Sequence, residues 1–185
     1  MRAIIIHGAY GHPQENWFPW LKSELKKIDC QVITPRFPTP KGQSLKNWMK
    51  ILNREVKNWG SDIILVGHSL GPVLILKKLE DLQKPIKAAF LVSSPVGLIG
   101  IKKFDSIITT FFEQDFNWQK IRKSCQNFFV YHGDNDPYVP LSMGQELAKS
   151  LEVEVKIIHG GGHLNEAAGF SKFPRLLKDI KKLLI

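Results

Sequence analysis

Cysteine is scarce in this chain, and long apolar runs are missing. The two cysteines, Cys30 and Cys125, form no C-x-x-C or zinc-type spacing, which argues against a disulfide framework and a cysteine-based zinc site. No stretch reaches the roughly 18 apolar residues that a transmembrane helix needs. The start, MRAIIIHGAYG, has an apolar run too short for a secretory signal. We therefore expect a cytoplasmic protein without a membrane segment.

The overall composition is that of a soluble globular protein, with 43% hydrophobic and 23% charged residues. The sequence has no internal repeat and no low-complexity tract. A length of 185 residues fits one domain with one sizeable core. We expect residues 1–185 to form a single domain.

The charge balance is basic, with 26 Lys and Arg against 17 Asp and Glu, a net charge of +9. The lysines are spread along the chain, singly or in pairs such as Lys77 and Lys78, mostly beside Leu or Ile in helix-like stretches. This distribution is typical of the solvated faces of amphipathic helices. It predicts no binding of nucleic acid or of an anionic membrane.

Short apolar runs alternate with helix-period segments over the whole chain, which predicts an α/β fold with parallel strands covered by helices on both faces. The expected strands are 2–6, 31–34, 62–66, 88–92, 128–132 and 154–158. The expected helices are about 16–28, 44–59, 70–83, 142–150 and 172–184. The result is a three-layer α/β/α sandwich with about six strands joined by right-handed crossovers.

The connection at about 95–125 is longer than a crossover needs. It carries an apolar stripe at helical spacing, formed by Phe104, Ile107, Ile108, Phe111 and Phe112. The stripe is either the core face of a crossover helix or a small cap over the site. In the second case Phe111 and Phe112 are candidates for lining a substrate pocket.

The strongest local motif is LVGHSLGPV, residues 65–73. A buried strand, then G-x-S-x-G around Ser69, then a run of helix formers is the context of a nucleophile elbow. The flanking Gly67 and Gly71 allow the tight turn, and the hydroxyl of Ser69 is presented at a helix N-terminus. Ser69 is therefore the candidate nucleophile.

A serine nucleophile needs a base and a carboxylate that orients the base, and in this architecture both follow the serine in the chain. After Ser69 come VYHGDNDPYVP and IIHGGGHLNE, each at the carboxyl end of a predicted strand. Asp134 and Asp136 compete for the carboxylate role. Asp134 could be a turn residue, whereas Pro137 and Pro140, which follow Asp136, stiffen the chain around it.

The segment HGGGH, residues 159–163, allows three interpretations. A two-histidine metal site would need His159 and His163 on one helical face, and three glycines make a poor helix. An HGGG oxyanion loop should precede the nucleophile in the chain. The remaining interpretation predicts that His163 is the base on a glycine hinge and that His159 is structural.

Together, VGHSLG, HGDNDPYVP and GGGHL resemble the α/β-hydrolase fold. The stretches 4–21 and 116–140 resemble a compact branch of small serine hydrolases that includes retinoblastoma-binding protein 9 and YdeN-like bacterial proteins. The resemblance covers essentially the whole chain. It implies strand order 2-1-3-4-5-6, hydrolysis of carboxylic esters, and Asp136 as the triad carboxylate.

For this fold, one oxyanion donor is the N–H of the residue after the nucleophile, here Leu70, and the other lies in the loop HGAYG. Its position favours Ala9 over Tyr10 as the second donor. Tyr10, His12 and Trp17 are further candidates for the substrate pocket, although Trp17 also fits the core face of the first helix. The histidines at positions 7, 68 and 132 are expected to be packing or supporting residues.

The sequence thus predicts a carboxylesterase-like serine hydrolase with the triad Ser69, Asp136 and His163, acting on a small ester without metal or cofactor. The same triad could cleave amides, as an aminopeptidase does, or thioesters. A non-catalytic protein-binding module is the other alternative. The L-x-C-x-E pattern associated with retinoblastoma-protein binding is absent, so no partner protein is expected.

Overall fold

The computed structural model describes residues 1–183. Within that range, six parallel strands form one sheet in the order β2-β1-β3-β4-β5-β6. The strands are β1 Arg2–Ile6, β2 Gln31–Ile33, β3 Ile63–His68, β4 Ala88–Val92, β5 Phe128–Gly133 and β6 Val155–Ile158. Both the predicted fold class and the implied strand order are confirmed.

Helices cover both faces of the sheet. They are α1 Phe18–Lys26, α2 Leu45–Glu55, α3 Gly71–Glu80, α4 Lys102–Ile108, α5 Trp118–Lys123, α6 Leu141–Ser150 and α7 Pro174–Lys182, and short 3-10 turns span Thr109–Phe111 and Glu166–Ala168. The five predicted helices are all present: α1, α2 and α3 are shorter than predicted, α6 begins one residue earlier, and α7 begins two residues later. The predicted end of the last helix, at position 184, lies outside the described residues.

The alternation of side chains along the strands divides the core into two clusters. In β1, Ile4 and Ile6 face a cluster that includes buried side chains of α2 and α3. Ala3 and Ile5 face the other cluster, which includes buried side chains of α1 and α7. Strands that are apolar on both faces are therefore buried on both faces, as a parallel sheet requires.

The long connection breaks into two short helices and a 3-10 turn. Helix α4 ends at Ile108, and the following turn directs Phe111 into the core, where its ring lies edge-on to Trp48 at 5.3 Å. Phe112 is half-buried and packs against the same core cluster. The structure therefore corrects the alternative in which Phe111 and Phe112 line a substrate pocket, because the change of helix type rotates them away from the site.

The carboxyl ends of the parallel strands meet at one edge of the sheet. Ser69 follows β3, Asp136 follows β5 and His163 follows β6, so this edge gathers the three predicted triad residues. Among residues 1–183, no helix has both the length and the apolar character to cross a membrane.

Candidate active site

The turn that carries Ser69 is tight and strained. Strand β3 ends at His68, helix α3 begins at Gly71, and Ser69 between them has a left-handed φ of 58°. A Cβ at Gly67 would lie 2.6 Å from the backbone nitrogen of Pro72, and one at Gly71 would lie 2.5 Å from the carbonyl oxygen of Ile6. Only glycine fits at these two positions, and the serine is left at the start of the helix.

Gly8 lies directly opposite this serine. A Cβ built on Gly8 would come within 2.7 Å of Ser69 Cβ and 3.2 Å of Ser69 Oγ. The absence of a side chain at position 8 therefore lets the loop after β1 approach the candidate nucleophile. Gly8 follows the predicted strand 2–6 by two residues, and a glycine so near a strand end was a sequence signal for such an approach.

Asp136 and His163 form a hydrogen-bonded pair. Nδ1 of His163 lies 2.7 Å from Oδ2 of Asp136, whose side chain is fully buried. The other carboxylate oxygen accepts the backbone N–H groups of Tyr138, at 2.9 Å, and Val139, at 3.1 Å. Burial alone would raise the pKa of Asp136, but the bonds from His163 and the two N–H groups outweigh it and lower the pKa. The carboxylate is therefore held ionised beside the imidazole.

Asp134 serves a different histidine. Its carboxylate lies 2.7 Å from Nδ1 of His159, which is 89% exposed, and accepts the N–H of Gly160 at 2.8 Å. The neighbouring Asn135 side chain accepts the N–H of Gly162 at 2.7 Å. The two aspartates that competed in the sequence thus support separate parts of the HGGGH segment.

Ser69 and His163 line the same cavity. Within residues 1–183 the structure contains no direct hydrogen bond between the serine hydroxyl and the imidazole. Contacts between a nucleophile and its base often tighten only when substrate is bound. Ser69 and His163 thus share one cavity, and the imidazole is bonded through Nδ1 to the buried carboxylate of Asp136.

Two backbone N–H groups at the cavity are free to bind an oxyanion. Ala9 and Leu70 both line the cavity, and neither N–H donates a hydrogen bond to another group in the described part of the chain. The N–H of Tyr10 instead donates to Thr39 Oγ1 at 2.7 Å. This geometry favours Ala9 over Tyr10 as the second donor.

His7 holds the peptide that carries the Ala9 N–H. A carbonyl only accepts, so Nδ1 of His7 donates to the Gly8 carbonyl at 2.8 Å, and Nε2 accepts the N–H of Phe37 at 3.0 Å. Burial lowers the pKa of His7 to about 4 and keeps the ring neutral. Because C=O and N–H of a trans peptide point in opposite directions, the bond to Gly8 turns the Ala9 N–H away from His7.

A cavity of about 240 Å³ opens beside Ser69. Its apolar wall consists of Tyr10, Pro95, Ile99, Phe104, Ile108 and Tyr138. Glu15 and Lys103 supply charged groups to the same cavity. Of the five residues predicted for the pocket only Tyr10 lines it. Phe104 belongs to the stripe that was considered as a cap, and Tyr138 had not been predicted for the pocket.

His12 and Trp17 lie outside this cavity, which corrects their proposed place in the pocket. The His12 side chain is 47% exposed and lies 3.9 Å from Glu15. Trp17 is fully buried, and its indole N–H donates to the Leu164 carbonyl at 2.9 Å. Trp17 therefore supports the loop after β6 through this hydrogen bond. Its ring also packs in the same core cluster as Leu164 of that loop.

The described residues also bear on the metal interpretation of HGGGH. Among residues 1–183, no group of three or more His, Cys, Asp or Glu side chains is arranged to hold a metal ion. His159 and His163 each bind a separate aspartate. The two histidines thus differ in both burial and partner.

A six-stranded parallel sheet with a serine on the turn after β3 defines the class of α/β hydrolases. A family profile described as "Serine hydrolase" matches residues 3–182, and the chain belongs to this family.

Two relatives extend over nearly the whole chain. The ydeN gene product of Bacillus subtilis (strain 168) is 31% identical over 175 residues, which cover 94% of this chain and 90% of the relative. The serine hydrolase RBBP9 of Rattus norvegicus is 23% identical over 186 residues, which cover 99% and 95%. The predicted resemblance is thereby confirmed.

Solved structures agree on the fold. The crystal structure of the B. subtilis ydeN product superposes with a TM-score of 0.91 at 28% identity and covers 99% of this chain and 98% of that one. Alpha/beta hydrolase domain-containing protein 10 from mouse superposes with a TM-score of 0.75 at 17% identity and covers 99% and 89%.

Proposed function

We propose that this serine hydrolase cleaves small carboxylic esters through an acyl-enzyme on Ser69. The observation that carries the proposal is the 2.7 Å bond between His163 and the buried Asp136 carboxylate, at the edge of the cavity that Ser69 lines. This bond keeps the proton on Nδ1 of His163, so that Nε2 is available as a base.

The reaction has two halves. His163 accepts the proton of the Ser69 hydroxyl while the oxygen attacks the ester carbonyl, and the N–H groups of Ala9 and Leu70 stabilise the oxyanion. The C–O bond then breaks as His163 protonates the departing alcohol. Water adds to the acyl-enzyme in the same way and releases the acid and the free serine. These steps use side chains, two backbone N–H groups and water.

The shape of the cavity limits the substrate. A volume of about 240 Å³ is at or below the lower end of ordinary ligand pockets, which favours a short acyl or small aromatic group. The apolar wall around Phe104 and Tyr138 suits such a group. Amides and thioesters present the same carbonyl to the same groups, so they belong in any substrate panel.

The test combines covalent labelling with turnover. A fluorophosphonate should label wild type at Ser69, and an aryl acetate should give a burst followed by steady turnover. Both signals should vanish in Ser69→Ala. Turnover should vanish in His163→Ala and persist in the matched variant His159→Ala. Unchanged labelling in Ser69→Ala would contradict the proposal, and a stoichiometric protein partner with no turnover in wild type would favour a binding module.

A further inference from the structure

The segment that delivers His163 contains glycines in the left-handed region of backbone conformation. Gly160 has a φ of 65° and Gly162 a φ of 53°, and Leu164 on the other side has a φ of 50°. Glycines cross between backbone regions at little cost. A base that must stay within hydrogen-bond reach of a serine needs this hinge to be held by groups outside it.

Two buried side chains bind the carbonyl oxygen of His163 itself. Nε2 of His68 lies 2.8 Å from it, and Oγ of Ser93 lies 3.2 Å from it. Because the carbonyl only accepts, both side chains donate. His68 is 3% exposed and Ser93 is 0% exposed, so neither bond is exchanged for water at low cost.

We propose that His68 and Ser93 are positioning residues for His163. Their two hydrogen bonds to its carbonyl oxygen hold the imidazole between Asp136 and Ser69. This inference rests on the proposed function, because it assigns the support of the proposed base. Neither residue takes a proton from the substrate or from the serine.

The same strand ends position Ser69 and the two donors to the His163 carbonyl. The N–H of Ser69 donates to the Val92 carbonyl at 2.9 Å, and the N–H of Ser93 donates to the Tyr131 carbonyl at 2.9 Å. His68 directly precedes Ser69, and Ser93 directly follows Val92. The ends of β3, β4 and β5 therefore fix the serine and both donors in one hydrogen-bonded layer.

The chemical state of His68 suits this role. Burial, reinforced by the nearby His163, lowers the pKa of His68 to about 3. The ring is therefore neutral at ordinary pH, with its proton on the nitrogen that faces the carbonyl. Its ring centroid lies 4.8 Å from that of His163 in an edge-to-face contact, which adds packing to the hydrogen bond.

Loss of either donor should lower kcat strongly and should leave most of the protein folded. A displacement of about 1 Å at a catalytic group can cost roughly 100-fold in rate, and one of two donors should account for about tenfold. The experiment measures kcat for an ester per active site, with sites counted by fluorophosphonate titration. This normalisation removes any loss that comes only from unfolded protein.

Substitutions at His68 separate the donor from the ring. His68→Phe keeps a ring without a donor, His68→Gln places an amide N–H near the position of Nε2, and His68→Asn is too short to reach the carbonyl. We expect His68→Phe and His68→Asn to lose about tenfold in kcat per site and His68→Gln to recover most of it. Equal loss in the Gln and Phe variants would overturn the inference.

Ser93 offers a test with a matched neighbour. Ser93→Ala removes the second donor. Ser94→Ala removes a buried hydroxyl whose one bond within residues 1–183 is to the Pro95 carbonyl, at 2.9 Å. We expect a loss of about tenfold in Ser93→Ala and wild-type kcat in Ser94→Ala. Wild-type kcat in Ser93→Ala would overturn the inference, and this variant decides the matter if His68→Phe fails to fold.

A spectroscopic measurement distinguishes failure of this inference from failure of the proposed function. The Nδ1 proton of His163 should give a downfield proton resonance in wild type, because it is shared with Asp136. We expect this signal to broaden in Ser93→Ala and to stay sharp in Ser94→Ala. A wild type that neither labels nor turns over contradicts the proposed function, whereas a signal unchanged in Ser93→Ala contradicts only the positioning role.

Discussion

Gly133 packs directly against the carbonyl oxygen of Gly162, so that a methyl group at position 133 would overlap that oxygen. Gly133 is the last residue of β5 and begins the turn toward Asp136, and Gly162 immediately precedes His163. The loop that carries Asp136 and the loop that carries His163 are therefore in backbone contact. Their spacing depends on the absence of a side chain at position 133.

We expect Gly133→Ala to reduce ester turnover by about 100-fold, because the added methyl group must push the two loops apart and lengthen the bond between Asp136 and His163. The control is Gly97→Ala, since a Cβ at Gly97 meets nothing within 4 Å. Steady-state kinetics of both variants checks this prediction. Equal activity in the two would show that the close packing at Gly133 has no influence on the site.

The two aspartates give a second prediction. Asp136→Asn should lower kcat by roughly 1,000- to 10,000-fold, because an amide cannot hold the His163 tautomer and stabilise its charge as a carboxylate does. Asp134→Asn should keep kcat within about twofold, since an exposed pair with His159 contributes little. Comparable losses in both variants would contradict the assignment of Asp136.

The sheet was predictable from sequence because its strands are buried on both faces and therefore read as continuous apolar runs. Helix ends were less predictable. The periodic pattern of α2 continues through Val56 and Trp59, yet the helix ends at Glu55. Val56 is extended and still buried, so an apolar residue beyond the helix end mimics another helical turn.

The candidate site also has one part that the sequence predicts and one part that it does not. Ser69 stands in a local motif, and a motif carries its own geometry. The pocket is formed by side chains from distant segments, and which face of the connection points inward depends on where α4 ends. A 3-10 turn at Thr109–Phe111 sends Phe111 to Trp48 and leaves Phe104 at the cavity. The helical spacing of the apolar residues does not predict this change from an α-helix to a 3-10 turn.

His7 is expected to influence the rate through the oxyanion site. The Gly8 carbonyl accepts from His7 at 2.8 Å and from the Gly11 N–H at 3.2 Å. His7→Phe removes the shorter of these two bonds and should lower kcat by about 10- to 100-fold, because the peptide that carries the Ala9 N–H is held less firmly. His7→Asn places an amide N–H where Nδ1 stood and should recover much of kcat. Both variants leave the Phe37 N–H without its acceptor and should lose similar stability, about 1–3 kcal/mol. Equal kcat in the two variants would contradict this role.

Phe104 is expected to set the acyl preference. Its ring lies between those of Tyr10 and Tyr138, with centroids 5.6 Å from each. Phe104→Ala should enlarge the cavity and shift the ratio of kcat/KM for hexanoyl over acetyl esters by roughly tenfold toward hexanoyl. Phe112→Ala removes a ring outside the cavity and should leave that ratio unchanged. A shift of the same size in Phe112→Ala would contradict the assignment.

Asp179 in α7 should make stability depend on acid pH. It is 5% exposed and accepts hydrogen bonds from Tyr131, Lys156 and Lys182 at 2.8, 2.6 and 3.0 Å. Burial opposes its ionisation, but these three donors lower its pKa to about 2, below the value of about 3.9 in an unfolded chain.

Because the native pKa of Asp179 is the lower one, its contribution to stability is complete above about pH 4 and is lost as the pH falls through about 2. Between pH 5 and pH 3, wild type should therefore lose about 1 kcal/mol more free energy of unfolding than Asp179→Asn. Urea denaturation of both proteins at the two pH values measures this difference. Parallel losses would show that Asp179 titrates alike in the folded and unfolded chains, and turnover at pH 7 should be equal in both because the residue lies away from the cavity.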